Sequence, residues 1–132
     1  MLFRSSADIA PTLLDLAGAP ALPAAQGVSL RPLIDGTAEG WRECVLVEED
    51  QPFGIDGLPG PVRIRTLLTT GIRLTEVAGR DCTELYNLTE DPDEMRNLAG
   101  IDLELQAKAQ RLLVQELMRV DDDAAEIGRA HV

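Results

Sequence analysis

The chain has 132 residues, of which 45% are hydrophobic but only 3% aromatic. This length and composition predict one domain, or a piece of one, with a mainly aliphatic core. Its net charge of -11 disfavours binding to nucleic acid or to an anionic membrane, because both would repel the protein. No apolar run approaches the roughly 20 residues of a membrane-spanning helix, and no signal peptide is recognisable.

The first predicted element is a helix over "SADIAPTLLDLAGAP", where apolar residues recur at helical spacing and form one broad face. Asp8 is placed to cap its start, and a glycine and a proline end it. A Pro- and Ala-rich loop follows. "VSLRPLIDG" then predicts a single helical turn with Ser29 as its cap.

The helical spacing of apolar residues ends at "WRECVLVEED". There a short apolar run predicts a strand that ends in the acidic residues 48–50. A loop rich in Gly and Pro follows. Three further segments, "VRIRTLLTT", "IRLTEV" and "TELYNL", alternate or are strand-like and are joined by short turns. Close spacing of this kind predicts an antiparallel sheet.

After the last strand, Asp91 and Glu94 are spaced as a capping box that begins a short helical turn. A long amphipathic helix follows over residues 101–120, ending before three aspartates that disfavour its continuation. The fold class is therefore α+β, with about four antiparallel strands covered by a long C-terminal helix. Cys44 and Cys82 match no metal spacing, and we expect both to be small buried residues.

Charged residues on the strands are the candidates for binding. Glu48, Glu49 and Asp50 sit where ligands for a hard metal ion are plausible, although a solvated strand end is the favoured explanation. The arginines at positions 63, 65 and 73 are candidates for a cationic area that meets an anionic ester. The alternative is that each arginine pairs with neighbouring acidic residues.

The two ends, "MLFRS" and "EIGRAHV", resemble translated adapters that are ligated to DNA fragments for sequencing. We therefore expect residues 1–5 and 126–132 to be adapter-encoded. The one histidine, His131, falls in the second segment. Without it, the chain lacks the means for Ser-His or Cys-His nucleophilic catalysis and for a histidine metal site.

Several segments, in their order along the chain, resemble the C-terminal part of the sulfatase family. They are the first helix, "QGVSLRPLIDG", the strands from "WRECVLVEED" onward and, most specifically, "ELYNLTEDPDEMRNLAG". The resemblance implies that residues 6–40 end an alkaline-phosphatase-like α/β catalytic domain. It implies that residues 41–125 form the smaller C-terminal subdomain.

The same resemblance implies a parent enzyme that hydrolyses a small sulfate ester with a formylglycine nucleophile and a calcium ion. The family's Cys/Ser-x-Pro/Ala-x-Arg motif is absent from this chain, so no catalytic residue and no metal ligand is assigned, and we expect the fragment alone to be inactive. Its main partner would be the N-terminal catalytic domain of the same polypeptide. The candidates for the substrate entrance are Glu48, Glu49, Arg63 and Arg65.

Two alternatives remain open from the sequence. The first is a fragment of a related hydrolase, either a phosphonate monoester hydrolase or a phosphodiesterase, because the C-terminal motifs discriminate poorly among these enzymes. The second is a free-standing, non-catalytic binding module, which predicts a natural start codon near Ser6.

Overall fold

A computed structural model of the chain describes residues 3–23, 25–55 and 57–129, with side chains described as far as residue 120. The chain divides into two compact units. The first comprises Met1–Glu43 and Leu117–Val132, and the second is Cys44–Glu116. The predicted adapter-encoded residues 1, 2 and 130–132, and with them His131, lie outside the described residues.

The first unit contains the predicted N-terminal helix. A 3₁₀ turn, Ser6–Asp8, leads into helix α1, Ile9–Leu16. The cap is Ser5 rather than Asp8: the Ser5 hydroxyl accepts from the Ala7 N–H at 3.2 Å, and the Asp8 carboxylate accepts from the Ser5 N–H at 2.8 Å. This reciprocal pair is a capping box, so the position predicted as the cap serves instead as its third-residue partner.

The predicted second helical turn is helix α2, Arg31–Ile34. Its N-cap is Leu30 and not the predicted Ser29, although the Ser29 hydroxyl does accept from the Arg31 N–H at 3.2 Å. The loop before it passes against the beginning of α1. A Cβ at Gly27 would lie only 2.0 Å from the Ala7 carbonyl oxygen, so glycine is required for this close approach.

The second unit is the predicted antiparallel sheet, with its four strands in sequence order. The strands are β1 (Cys44–Gln51), β2 (Val62–Thr69), β3 (Ile72–Val77) and β4 (Glu84–Asn87). Leu67, Leu74 and Leu85 are opposite one another across three strands and are fully buried. Cross-strand aliphatic packing of this kind is the core that the low aromatic content required.

Strand β1 ends at Gln51, one residue beyond the acidic residues 48–50 in which its end was predicted. These acidic residues pair with residues 63–65 of β2. The carboxylates are tolerated there because two of them meet an arginine across the strand, as described below.

The connection after β4 is not the predicted helical turn. The Asp91 carboxylate does accept hydrogen bonds from backbone N–H groups, as predicted, but in a non-helical turn. Its donors are Met95 and Arg96, at 3.1 and 2.8 Å. Glu94, however, has a φ of 55°, in the left-handed region, so it cannot complete a helical capping box. Its carboxylate pairs with Arg73 instead.

Asn97 ties this connection to the edge of β4. Its side chain accepts from the Leu85 N–H at 2.9 Å and donates to the Thr83 carbonyl at 3.1 Å. The next residue, Leu98, donates its N–H to the Leu85 carbonyl at 2.8 Å. The conspicuous "ELYNL…NL" pattern therefore encodes a strand and the segment that pairs with its edge.

The long C-terminal helix, α3, is Leu103–Arg129 and packs on the sheet. Asp102 caps it by accepting from the Leu105 N–H at 2.9 Å. Ala109 and Leu113 are buried, and Gln110 donates to Glu76 of β3 at 2.7 Å. The helix continues past the three aspartates at 121–123, contrary to prediction. Among the described residues, no helix is both long enough and apolar enough to cross a bilayer.

The two cysteines differ in their surroundings. Cys44 is half-buried at the beginning of β1, whereas Cys82 is exposed in the turn before β4. The expectation of two buried cysteines is therefore wrong for Cys82 and only partly met by Cys44.

Candidate functional site

One charged cluster of the sheet lies on β1 and β2. The Arg65 guanidinium bridges two carboxylates of β1, with 2.8 Å from Nε to Glu48 and 2.7 Å from Nη1 to Asp50. All three residues project from the same sheet face, since Glu48 is directly opposite Arg65 and Asp50 follows two residues later. The hydrogen bond from Arg65 holds the pKa of Asp50 below its ordinary value.

The other two predicted site residues have different positions. Arg63 lies on the same face as Arg65, opposite Asp50, and is exposed. Glu49 is opposite Ile64 and therefore projects from the other face, where its carboxylate accepts from Gln51 at 2.8 Å. The structure thus brings together Glu48, Arg63 and Arg65, but not Glu49.

The third arginine of the proposed cationic area, Arg73, lies on the opposite face from Arg63 and Arg65, so that grouping is wrong. It contacts the carboxylates of Glu84, at 3.1 Å, and Glu94. Its guanidinium also lies over the ring of Tyr86, 5.4 Å from the centroid. Arg73 therefore joins β3 and β4 to the following turn. For this arginine, the alternative of pairing with neighbouring acidic residues is the one observed.

Sequence reasoning missed a buried carboxylate in the first unit. Asp8 is fully buried and binds three donors: the N–H groups of Ser5 and Val28, at 2.8 and 3.0 Å, and the Arg42 guanidinium at 2.6 Å. Burial raises the pKa of Asp8, but these hydrogen bonds outweigh it and hold the pKa below its ordinary value. The only available signal was an aspartate before a helix, which indicates a cap equally well.

Metal ligands do not form a cluster in the described part of the chain. Over residues 3–23, 25–55 and 57–129, no group of three or more His, Cys, Asp or Glu side chains could hold a metal ion. Glu48 and Asp50 are bound to Arg65 and do not converge with a third acidic ligand. The described residues therefore do not fit the calcium ion that the sulfatase resemblance implies.

Residues 3–123 match the family model described as N-sulphoglucosamine sulphohydrolase, C-terminal. No curated protein sequence matches significantly. A solved protein in complex with its substrate, D-glucosamine-2-N,6-O-disulfate, is 26% identical and has a TM-score of 0.71, over 87% of this chain and 24% of its own. A 2-O GAG sulfatase is 26% identical with a TM-score of 0.69, over 90% and 26%.

A phosphonate monoester hydrolase from Silicibacter pomeroyi is similar to the same degree. It is 29% identical with a TM-score of 0.67, over 88% of this chain and 24% of its own. The chain thus spans about a quarter of the length of each of these structures. The similarity lies in the fold of this portion.

Proposed function

Because this chain belongs to the family of the N-sulphoglucosamine sulphohydrolase C-terminal domain, we propose that it is the C-terminal part of a sulfatase that hydrolyses sulfate esters. The family match over nearly the whole chain is the observation that carries the proposal. The N-terminal part of the same polypeptide would supply the formylglycine nucleophile and the calcium ligands. The fragment would then be inactive alone.

The substrate class to test first is a sulfated amino sugar. One similar structure holds D-glucosamine-2-N,6-O-disulfate as its substrate, and another is a sulfatase of glycosaminoglycans. The candidates for contact with such a substrate are Arg63, Arg65, Glu48 and Glu49. Arg63 is the strongest of them, because it is exposed while the guanidinium of Arg65 is already bound to two carboxylates.

A second candidate function is favoured by one specific observation. The phosphonate monoester hydrolase is as similar to this chain as the sulfatases are. The parent would then cleave a phosphonate or phosphate ester. The C-terminal part cannot separate the two reactions, because none of its residues is assigned to the nucleophile or the metal.

The deciding experiment is to sequence the DNA that flanks the segment encoding this chain and then to assay the full-length parent enzyme that it encodes. We expect an upstream open frame with a Cys/Ser-x-Pro/Ala-x-Arg motif and hydrolysis of 4-nitrophenyl sulfate. Preferential hydrolysis of a phenyl phosphonate ester would support the second candidate instead. A start codon just before Ser6 would exclude both and leave a free-standing binding module. The same sequence decides whether residues 1–5 and 126–132 are adapter-encoded.

A further inference from the structure

Strand β1 forms one edge of the sheet. The strand order is β1-β2-β3-β4, so among the described residues β1 pairs with β2 on one side only. Alternate residues of an edge strand direct their backbone N–H and C=O groups away from the sheet, where a further strand can bind them. The opposite edge, on β4, is occupied by residues 97 and 98. Over the described part of the chain, β1 is therefore the edge that can accept a strand.

The second half of β1 is its accessible part. Val45 and Leu46 are half-buried, whereas residues 47–50 are exposed, with Val47 at 51%. Three of these four exposed residues carry a carboxylate. An added strand would therefore meet an apolar side chain followed by three consecutive negative charges.

These side chains alternate between the two faces of the sheet. Glu48 and Asp50 project from one face, and Val47 and Glu49 project from the other. The side chains of an added strand would lie opposite them in cross-strand pairs, which are stabilising when the charges are opposite. Three basic residues would suit the three carboxylates, and an apolar residue would suit Val47. The edge thus specifies the sequence pattern of its partner.

We propose that β1 accepts an extended basic segment of a partner protein as a fifth strand of the sheet. Backbone hydrogen bonds would supply affinity and the cross-strand pairs would supply selectivity. The carboxylates stand on the edge strand itself, whereas Arg63 and Arg65 lie on β2, one strand further from the partner. The net charge of -11 attracts a basic segment, and it repels a second copy and nucleic acid. Because the edge lies within this chain, its test is independent of the proposed function.

Hydrogen exchange with a synthetic peptide tests strand addition. The probe is Thr-Val-Lys-Arg-Lys-Val-Thr with blocked ends, whose symmetric pattern fits the edge in either direction. At saturating peptide, we expect the β1 amides that point away from β2 to exchange about tenfold more slowly, or more slowly still. The amides of β3, which has a strand on each side, are the internal reference and should not change.

Two N-methylated versions of the peptide are matched controls. Each is methylated on one of its two alternating sets of amides, so their charge and length are equal. An added strand bonds β1 through one of its own edges only. One version should therefore bind about tenfold more weakly, or more weakly still, while the other retains the affinity of the unmodified peptide.

Two variants of the chain separate a local from a general effect of charge. Glu49→Gln should weaken peptide binding about threefold, because it removes one charge from the edge and keeps the size of the side chain. Glu104→Gln, in the exposed first turn of α3, changes the net charge equally and should leave the affinity as it is.

Three results would overturn the proposal. Equal binding of the two methylated peptides would show attraction by charge without strand addition. Equal weakening by Glu49→Gln and Glu104→Gln would show that the edge has no special part in the binding. Protection of the β1 amides that arises without peptide and grows with protein concentration would assign the edge to a second copy.

Discussion

The two units of the chain are each stabilised internally by a different kind of interaction. The sheet unit buries leucines across adjacent strands, and its helix adds apolar contacts from above. The N-terminal unit turns a polar stripe inward, buries a carboxylate and leaves its apolar stripe exposed. The sheet unit buries its large leucines within itself, whereas the N-terminal unit leaves Ile9, Leu13 and Leu16 exposed. The following changes probe this contrast, from the largest expected effect to the smallest.

Leu74→Ala should have the largest effect, because Leu74 is fully buried between Leu67 and Leu85. We expect a loss of about 2–5 kcal/mol in the free energy of unfolding, from lost apolar transfer and the cavity left behind. Urea unfolding followed by circular dichroism would measure it. Met95→Ala is the control, since Met95 is 84% exposed and its loss should cost under about 0.5 kcal/mol. Equal effects would contradict the assigned core.

Asp8→Asn should destabilise the N-terminal unit by about 1–3 kcal/mol, because an amide weakens the charge-assisted bonds to Val28 and Arg42 while keeping the size of the side chain. Hydrogen exchange of the α1 amides would report the loss, with the β3 amides as internal reference. Faster exchange confined to α1 is the expected result. An unchanged α1 would contradict the role given to the buried carboxylate.

The same carboxylate predicts a pH dependence for the stability of the N-terminal unit. Because the pKa of Asp8 is lower in the folded chain than its ordinary value of 3.8, the stability from the ionised form is fully present above that value. It is lost as the pH falls through the folded pKa. The protection of the α1 amides, expressed relative to their intrinsic exchange rates, should therefore fall on acidification below about pH 4. Asp8→Asn should remove this component.

Asn97→Ala should cost about 1–2 kcal/mol, because it leaves the Leu85 N–H at the edge of β4 without its acceptor. Asn97→Asp is the informative companion, since it keeps the acceptor for Leu85 but loses the donor to Thr83. Its effect on the urea midpoint should lie between those of the wild type and the alanine variant. An alanine variant as stable as the wild type would show that the side chain does not secure this edge.

Arg65→Met should have the smallest effect on stability, under about 1 kcal/mol, because the two carboxylates it binds are largely solvated and return to water. The measurement is the urea midpoint at low and high salt. The difference between the two proteins should shrink as salt rises. A loss comparable to that of Leu74→Ala would mean that the ion pairs, and not the leucines, hold the sheet.

The sheet could be predicted because its information is local. Alternation in "VRIRTLLTT" and "IRLTEV" and the short turns between strands define the four-stranded order that is observed. The pairing of Glu48 and Asp50 could not be predicted, because their partner Arg65 is distant in sequence. Glu94 likewise takes its left-handed conformation in a turn where its carboxylate pairs with Arg73.

The orientation of α1 in the N-terminal unit could not be predicted from the sequence, because it too depends on residues distant in sequence. The sequence predicts that α1 is amphipathic, but the pattern does not say which stripe faces its own domain. That choice depends on Val28 and Arg42, which bind Asp8 from far along the chain. The candidate site shows the limit again. Periodicity placed Arg63 and Arg65 on one face, yet the location of Arg73 depended on a register that only the folded sheet defines.

The hydrogen bonds of Asn97 and Leu98 have a consequence for solubility. A sheet with two open edges can recruit strands from other molecules and grow into aggregates. Here the outer edge of β4 is occupied by residues 97 and 98 of its own chain, and β1 at the other edge carries three consecutive acidic residues that repel a second copy. Asn97 and Leu98, which follow β4, therefore also oppose the addition of strands from other molecules to this edge.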